Sequence, residues 1–356
     1  MLALLLGAVA VSKPPHIVYV LADDLGFNDV GWRGANATDV ETPRLDALAA
    51  SGLRLEQLYS QLVCSPARAA IMTGRYPHKL GLSHGFIAAG APYGLPLAET
   101  TLAQDLAAAG YSTQMFGKWH LGMSSWDHTP LRRGFEAFFG FFNGAVHYWA
   151  HTHPETSASS PLDFRGGNVS APVLDRNGTA NHSSFARTYG PFVYAVEAAK
   201  AIHAHRAAAD ARPLFLFLPH QSTHEPIDAP AEYVERFAAK IADPQRRTFA
   251  AMVATLDDAV GIVVDALAAA GYWDNCLVSE RSPRPRPHPT PCILTSFNSS
   301  TLTPAARSHE PPTPACLPSC SSTATTAATS APPATTCPSA AASTRCSKVA
   351  RASPPS

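Results

Sequence analysis

A thiol and a guanidinium lie close together in the segment Cys64-Ser65-Pro66-Ala67-Arg68. Pro66 suits the first turn of a helix, so Cys64 is predicted to lie at the positive end of a helix dipole, with Arg68 one turn further on. Both features lower the pKa of a thiol. Taken alone, the pattern also fits a half-buried structural cysteine in front of a helix.

Two adjacent carboxylates follow the first apolar run of the chain. Residues 16–22 (HIVYVLA) are predicted to form a buried strand, and Asp23 and Asp24 come directly after it. Successive strand residues point to opposite faces. Both carboxylates can therefore reach one metal ion only if the strand stops and the chain turns, as Gly26 permits. The alternative for such a pair is the N-cap of a helix.

Further side chains are of types that bind anions or move protons. Lys118 has apolar neighbours on both sides, which argues against a solvated surface lysine. His120 and His224 are candidate acids or bases, although a lone histidine is more often structural. A loose histidine group matches no firm zinc motif and is interpreted as part of a substrate loop: His147, His151 and His153.

Apolar runs and helical patterns alternate along the chain. Strands are predicted at residues 16–22, 113–117 and 213–219 and from Cys276 onward, and helices at 43–50, 97–109, 192–209 and 245–270. This alternation is typical of an α/β domain whose largely parallel sheet lies between helices. Ligands of such sheets bind at the carboxyl ends of the strands. Asp23, Asp24 and residues 220–224 are expected there.

The end of the chain has a different composition. Fifteen of the 32 prolines follow Ser279, and residues 280–356 contain no Gly, Asp, Trp or Tyr. The strand that begins at Cys276 is expected to break off after Val278. Residues 280–356 are predicted to be a disordered tail rich in Pro, Ser, Thr and Ala, either a stalk or an artefact of the gene model. Residues 13–279 would then be the folded catalytic domain.

Composition also limits the class of protein. Lys+Arg and Asp+Glu both total 27, and zero net charge argues against a nucleic-acid binder. Residues 2–11 are far short of the roughly 18 apolar residues of a membrane span. Residues 1–12 fit either a signal peptide or a plain apolar leader. Four sequons favour the secretory pathway, with a lysosomal or extracellular destination: Asn36, Asn168, Asn177 and Asn181.

The segment CSPARAAIMTGR, residues 64–75, resembles the sulfatase signature, in which the cysteine is oxidised after translation to formylglycine. One departure is Ala67, where many members carry Ser. The resemblance extends over residues 16–278 through further motifs in order: HIVYVLADDLGFNDVGW, GKWHLG, RRGF, QSTHEP and MVATLDDAVG. Together these motifs are specific, and they look most like the arylsulfatase B group.

The resemblance implies an alkaline-phosphatase-like α/β fold and hydrolysis of a sulfated carbohydrate or an aryl sulfate. The formylglycine-generating enzyme would be a partner. By the same resemblance, the ligands of a Ca²⁺ ion, a hard cation, would be Asp23, Asp24 and residue 64. Arg68 and His120 would be catalytic groups at the hydrated aldehyde, and Lys118 and His224 would contact the sulfate.

Part of the family pattern has no counterpart here. In the family, a later strand ending in Asp-Asn-Gly completes the calcium shell and a later lysine contacts the sulfate. This sequence has no Asp after Asp274, and its only later lysine is Lys348. The sequence therefore predicts a truncated catalytic domain that is inactive or unstable as written.

Two other functions are alternatives to sulfate-ester hydrolysis. One is a non-catalytic sulfatase-like protein that binds sulfated glycans, in which Cys64 would stay a thiol. The other is a phosphodiesterase of the same superfamily. That group usually presents Thr or Ser as the nucleophile, so Cys64 with Pro66 and Arg68 argues against it.

Overall fold

The computed structural model describes residues 13–33, 40–153, 163, 165–168, 185, 187–208, 210–281 and 293–297. Contacts divide the chain into two units, Met1–Leu302 and Thr303–Ser356, and every described residue belongs to the first. The predicted leader and the sequons at Asn36, Asn177 and Asn181 lie outside the described residues. In the described part, no helix is long and apolar enough to cross a membrane.

The described strands are β1 (His16–Leu21), β2 (Leu53–Arg54), β3 (Ser112–Lys118), β4 (Ala137–Phe141), β5 (Arg165–Asn168), β6 (Leu214–Pro219), β7 (Cys276–Arg281) and β8 (Ile293–Phe297). They form one sheet in the order β2-β8-β7-β1-β6-β3-β4-β5. Its five neighbouring strands from β7 to β4 run parallel, whereas β5 and β8 are antiparallel to β4 and β7. The predicted mixed, largely parallel sheet is confirmed.

The helices begin where the sequence offers caps or prolines. Thr101 and Gln104 form a capping box, which is why the helix expected from residue 97 begins at Leu102. The side chain of Asp243 accepts a hydrogen bond from the Arg246 amide at 2.6 Å and starts the longest helix. The helices are α1 (Pro43–Ser51), α2 (Cys64–Thr73), α3 (Leu102–Ala108), α4 (Gly190–Ala207), α5 (Ala231–Arg236) and α6 (Pro244–Ala269).

Apolar side chains from both faces of the central strands are buried. Val18 and Val20 of β1 belong to one cluster with residues of α1, α4 and α6. Phe215 and Phe217 of β6 belong to a second cluster, with Met72 of α2 and residues of α3. Because helices cover both faces, these strands are apolar throughout rather than alternating. This packing holds the carboxyl ends of β1, β3 and β6 at one edge.

The last strands differ from the expectation drawn from the sequence. β7 continues past Val278 to Arg281 and stays paired with β1, with Leu21 opposite Arg281. β8 then pairs with β7 in antiparallel register. Ladder hydrogen bonds join backbone groups, so the polar residues that end β7 do not prevent pairing. The rest of the predicted tail lies outside the described residues.

Candidate active site

The chain turns directly after β1 and places Asp23 and Asp24 at the edge of the sheet. The Asp23 amide donates to the Ser222 carbonyl at 3.0 Å, which ties this turn to the segment after β6. The left-handed residue of the turn is Asp24, with φ of 63°, and not Gly26 as the sequence suggested. Asp tolerates this conformation better than most residues. A Cβ at Gly26 would meet the Asp29 carboxylate, which would have to move to make room.

Asp23, Arg68 and Lys118 form a buried charge cluster behind this edge. The three residues are 0%, 2% and 0% exposed. Lys118 Nζ donates to Asp23 Oδ2 at 2.6 Å, and Arg68 Nη2 lies 3.5 Å from Asp23 Oδ1. Burial alone would raise the pKa of the Asp23 carboxyl. The charges of Lys118 and Arg68 outweigh it and hold that pKa well below its usual range.

Cys64 is the first residue of α2, as the sequence predicted, and it is half-buried. Burial opposes ionisation of the thiol, but the charge of Lys118 and the neighbouring His120 and His224 lower its pKa to about 5. Val63, which precedes the helix, offers no side-chain cap, so amides of the first turn are left to a ligand or solvent. Because its pKa is about 5, we expect the unmodified thiol to ionise below neutral pH.

His120 follows β3 and is buried in a left-handed conformation, with φ of 57°. Its Nε2 donates to the Ile87 carbonyl at 2.9 Å. Because a carbonyl oxygen only accepts hydrogen bonds, this contact leaves Nδ1 of the neutral ring as the available base. The backbone amide of His120 donates to the Phe142 carbonyl at 3.0 Å. Burial lowers the pKa of His120, which favours the neutral form.

The segment after β6 brings a second histidine to the same place. His224 Nε2 lies 4.0 Å from Asp24 Oδ2. The Tyr148 hydroxyl donates a hydrogen bond to the His224 carbonyl at 2.7 Å. Burial and Lys118 lower the pKa of His224, but Cys64 and Asp23 more than offset them and the net shift is upward. His220 differs, because burial lowers its pKa to about 4 and both ring nitrogens bond to the backbone. We assign His220 a structural role.

A cavity of about 270 Å³ opens above these groups. Cys64, His120 and His224 line it together, whereas Arg68 and Lys118 lie buried beneath it rather than in its wall. The residues predicted to be catalytic or to bind sulfate or metal thus lie at the same edge of the sheet. They form two layers, one in or near the cavity wall and one buried beneath it. The residues of the wall are Cys64, Phe86, Ile87, Ala89, His120, Gly144, Ala145, His153, His224 and Glu225.

A family profile described as Sulfatase matches residues 15–279. The chain belongs to the sulfatase family. Among its relatives is arylsulfatase J of Mus musculus, 36% identical over 272 residues, which cover 76% of this chain and 43% of the relative. The chain spans about half the length of the curated relatives it matches. The predicted likeness to arylsulfatase B stays a prediction.

Solved structures carry the same fold as this sulfatase chain. The crystal structure of Ps i-CgsB aligns with a TM-score of 0.69 at 27% identity, covering 81% of this chain and 66% of that one. The same protein is also described in complex with k-i-k-neocarrahexaose. An alkaline phosphatase superfamily protein from Vibrio parahaemolyticus aligns with a TM-score of 0.50 at 17% identity, covering 80% and 61%. The predicted alkaline-phosphatase-like fold is confirmed.

The histidine group of the predicted substrate loop is divided by the structure. His153 lines the cavity. His151 is buried, and its Nε2 donates to the Phe185 carbonyl at 3.3 Å. His147 is exposed. Within the described ranges, no group of three or more His, Cys, Asp or Glu side chains could hold a metal ion. Of the three histidines, only His153 is placed to meet a ligand of this sulfatase cavity.

Reasoning from the sequence missed residues that shape the cavity from a distance. Asp163 is buried and accepts hydrogen bonds from the Phe142 amide at 3.0 Å and the Asn143 amide at 2.8 Å. This fixes the loop that contains Gly144, where an added Cβ would lie 2.6 Å from the His120 ring. Asp163 comes from a stretch rich in Ser, Asn and Gly, and no local pattern distinguishes it from other loop carboxylates.

Proposed function

We propose that this chain carries the reactive centre of a sulfuric ester hydrolase of the arylsulfatase type. One observation carries the proposal. Cys64, at the head of α2, shares a cavity with His120 and His224 directly above a buried cluster with one excess positive charge. A sulfate ester is an anion, so a positive field beneath the nucleophile favours its binding and the charge that develops during transfer.

Conversion of Cys64 to formylglycine is part of the proposal. Cys64, Pro66 and Arg68 are in place, and the half-buried Cys64 side chain reaches the cavity. A hydrated aldehyde supplies one hydroxyl to attack sulfur and a second to expel sulfate, which a serine cannot do. Partnership with a formylglycine-generating enzyme follows from this chemistry.

The other polar residues of the site have separate proposed roles in proton transfer and in charge stabilisation. His120 is held by Ile87 with Nδ1 free to accept a proton, so it serves as the base at residue 64. His224 has a raised pKa, so it carries a proton more readily and serves the sulfate and the leaving oxygen. Lys118 and Arg68 supply fixed positive charge from below. The Arg68 guanidinium also donates to the Lys118 carbonyl at 2.7 Å and so orients the end of β3.

Asp23 and Asp24 are proposed as part of a Ca²⁺ site. Asp23 Oδ1 is buried and has no hydrogen-bond partner in the described part of the chain, which suits a hard cation. A bound ion would polarise the sulfate oxygens. In the described ranges no group of three or more His, Cys, Asp or Glu side chains could hold a metal ion, and Lys118 already donates to Asp23 Oδ2. We therefore expect weak calcium binding and low turnover by the chain as given.

The proposed substrate is a sulfated carbohydrate or an aryl sulfate. The cavity of about 270 Å³ is at the small end of ligand pockets and fits a sulfate group with one ring. The complex of Ps i-CgsB with an oligosaccharide supports the carbohydrate class. The sequons support the proposal that the protein enters the secretory pathway, with a lysosomal or extracellular destination.

Peptide mass spectrometry and a chromogenic aryl sulfate assay with added calcium test this function. In a host that has the modifying enzyme, we expect the peptide containing residue 64 to have the mass of the aldehyde. Turnover should be far below that of a full-length sulfatase and absent from Cys64→Ala. A thiol recovered in that host would instead favour a protein that binds sulfated glycans without cleaving them.

A further inference from the structure

One wall residue of the cavity has no part in the chemistry described above. Phe86 lines the same cavity as Cys64 and His120, yet 49% of its surface is exposed. Its ring centroid lies 6.0 Å from that of His120, with the two planes tilted by 47°. An aromatic face left open beside the nucleophile is available to a ligand rather than committed to the core.

The backbone next to Phe86 is fixed to the reactive groups on two sides. The Ile87 amide donates to Ser65 Oγ at 3.0 Å, one residue after the nucleophile. The Ile87 carbonyl accepts from His120 Nε2 at 2.9 Å. Ile87 itself is buried. The backbone next to Phe86 is therefore bonded both to the residue beside the nucleophile and to the base. Because these contacts already order the loop, a ligand that binds to Phe86 has little further ordering to impose.

We propose that Phe86 is a stacking platform for the ring that carries the sulfate ester. The inference rests on the proposed function and names the part of the substrate that the cavity selects. An aryl ring, or the C–H face of a pyranose, would lie against Phe86 while the sulfate is held over residue 64. Gly144 and Ala145, two small residues, line the same cavity. Phe86 thus selects esters with a ring over acyclic ones.

Two esters of equal charge test the platform: phenyl sulfate and methyl sulfate. Binding of each to the full chain is measured by calorimetric or NMR titration. Every protein in the series, including the one that is otherwise wild type, carries Cys64→Ala, so that neither turnover nor a negative charge at residue 64 interferes. Wild-type protein should bind phenyl sulfate about 2- to 10-fold more tightly than methyl sulfate, the size of one aromatic contact. Phe86→Leu should lose this preference and keep its affinity for methyl sulfate, whereas Phe86→Tyr should keep both.

Tyr76→Leu is the matched control, because Tyr76 is 67% exposed and is not part of the cavity wall. It should behave as wild type. A Phe86→Leu protein that keeps the full preference for phenyl sulfate would overturn the platform and leave the proposed function standing. Equal weakening for both esters would show a merely structural role and also overturn it. Failure of the wild type to bind either ester would overturn the proposed function, and the platform with it.

Discussion

Replacing Asp23 with Asn should destabilise the fold strongly, because it removes the anion that balances two buried cations. Lys118 Nζ lies 2.6 Å from Asp23 Oδ2 with both side chains at most 1% exposed, and Arg68 is 3.5 Å from the other oxygen. Removing one partner of a buried ion pair costs about 3–5 kcal/mol. At about 2–4 °C per kcal/mol for a domain of this size, the melting temperature should fall by about 6–20 °C.

Asp24→Asn provides the matched control for this measurement. Its carboxylate is 32% exposed and lies 4.0 Å from His224, so its loss should cost less than about 1 kcal/mol. Adding Lys118→Met to Asp23→Asn should recover part of the stability, because one uncompensated buried cation is then removed as well.

Thermal unfolding in chelator-containing buffer, followed by circular dichroism, measures all of these variants without a contribution from bound metal. The order of melting temperatures should be wild type, Asp24→Asn, the double variant and then Asp23→Asn. The reasoning would be refuted if Asp23→Asn melted no lower than Asp24→Asn. It would also be refuted if the double variant were less stable than Asp23→Asn alone.

Two further predictions concern pH, one for the thiols and one for Asp257. Unconverted Cys64 has a pKa of about 5 and buried Cys276 one of about 12, so iodoacetamide should label Cys64 with a midpoint near pH 5 and spare Cys276. Lys118→Met should move that midpoint upward, and peptide mass spectrometry that finds both thiols equally reactive at pH 7 would contradict the assignment. Burial raises the pKa of Asp257, which caps α1 through the Leu45 amide at 2.8 Å, to about 6. Between about pH 4 and 6 the Asp257 carboxyl therefore holds a proton in the folded state that it loses in the unfolded state. This proton binding stabilises the fold at low pH, and the stabilisation is lost as the pH rises through 6. Melting curves recorded between about pH 4 and 6 should show that wild type loses stability relative to Asp257→Asn as the pH rises. A difference in melting temperature that stays constant over this pH range would contradict the prediction.

The order of the elements could be predicted because each depends on a local pattern. Continuous apolar runs mark β1 and β6 as strands covered on both faces, and helical periodicity marks α4 and α6. β4 is not predicted, because Gly140 interrupts its short aromatic-rich run of five residues. The helix boundaries differ from the predicted ones where a capping residue sets the start of the helix, as Thr101 does for α3.

Cys64, Arg68, Lys118 and His120 are expected at the site through the resemblance of their motifs to the sulfatase family. Asp23, Asp24 and His224 could also be placed at one edge from the sequence pattern, since they follow strands whose carboxyl ends meet there. Phe86 and Asp163 could not. Their importance lies in contacts with His120 and with the loop at Phe142, which are distant in sequence. No local pattern records such contacts.

The sequence by itself determined the family motifs, the alternation of strands and helices, and the position of Cys64 at a helix start, because each is written in adjacent residues. Only the tertiary structure decided that Arg68 and Lys118 turn inward to Asp23 while Cys64, His120 and His224 face the cavity. The physical reason is that Asp23 and Lys118 are 95 positions apart in the chain. Which of several buried charges pair is settled by the packing of β1, α2 and β3, and not by any one segment.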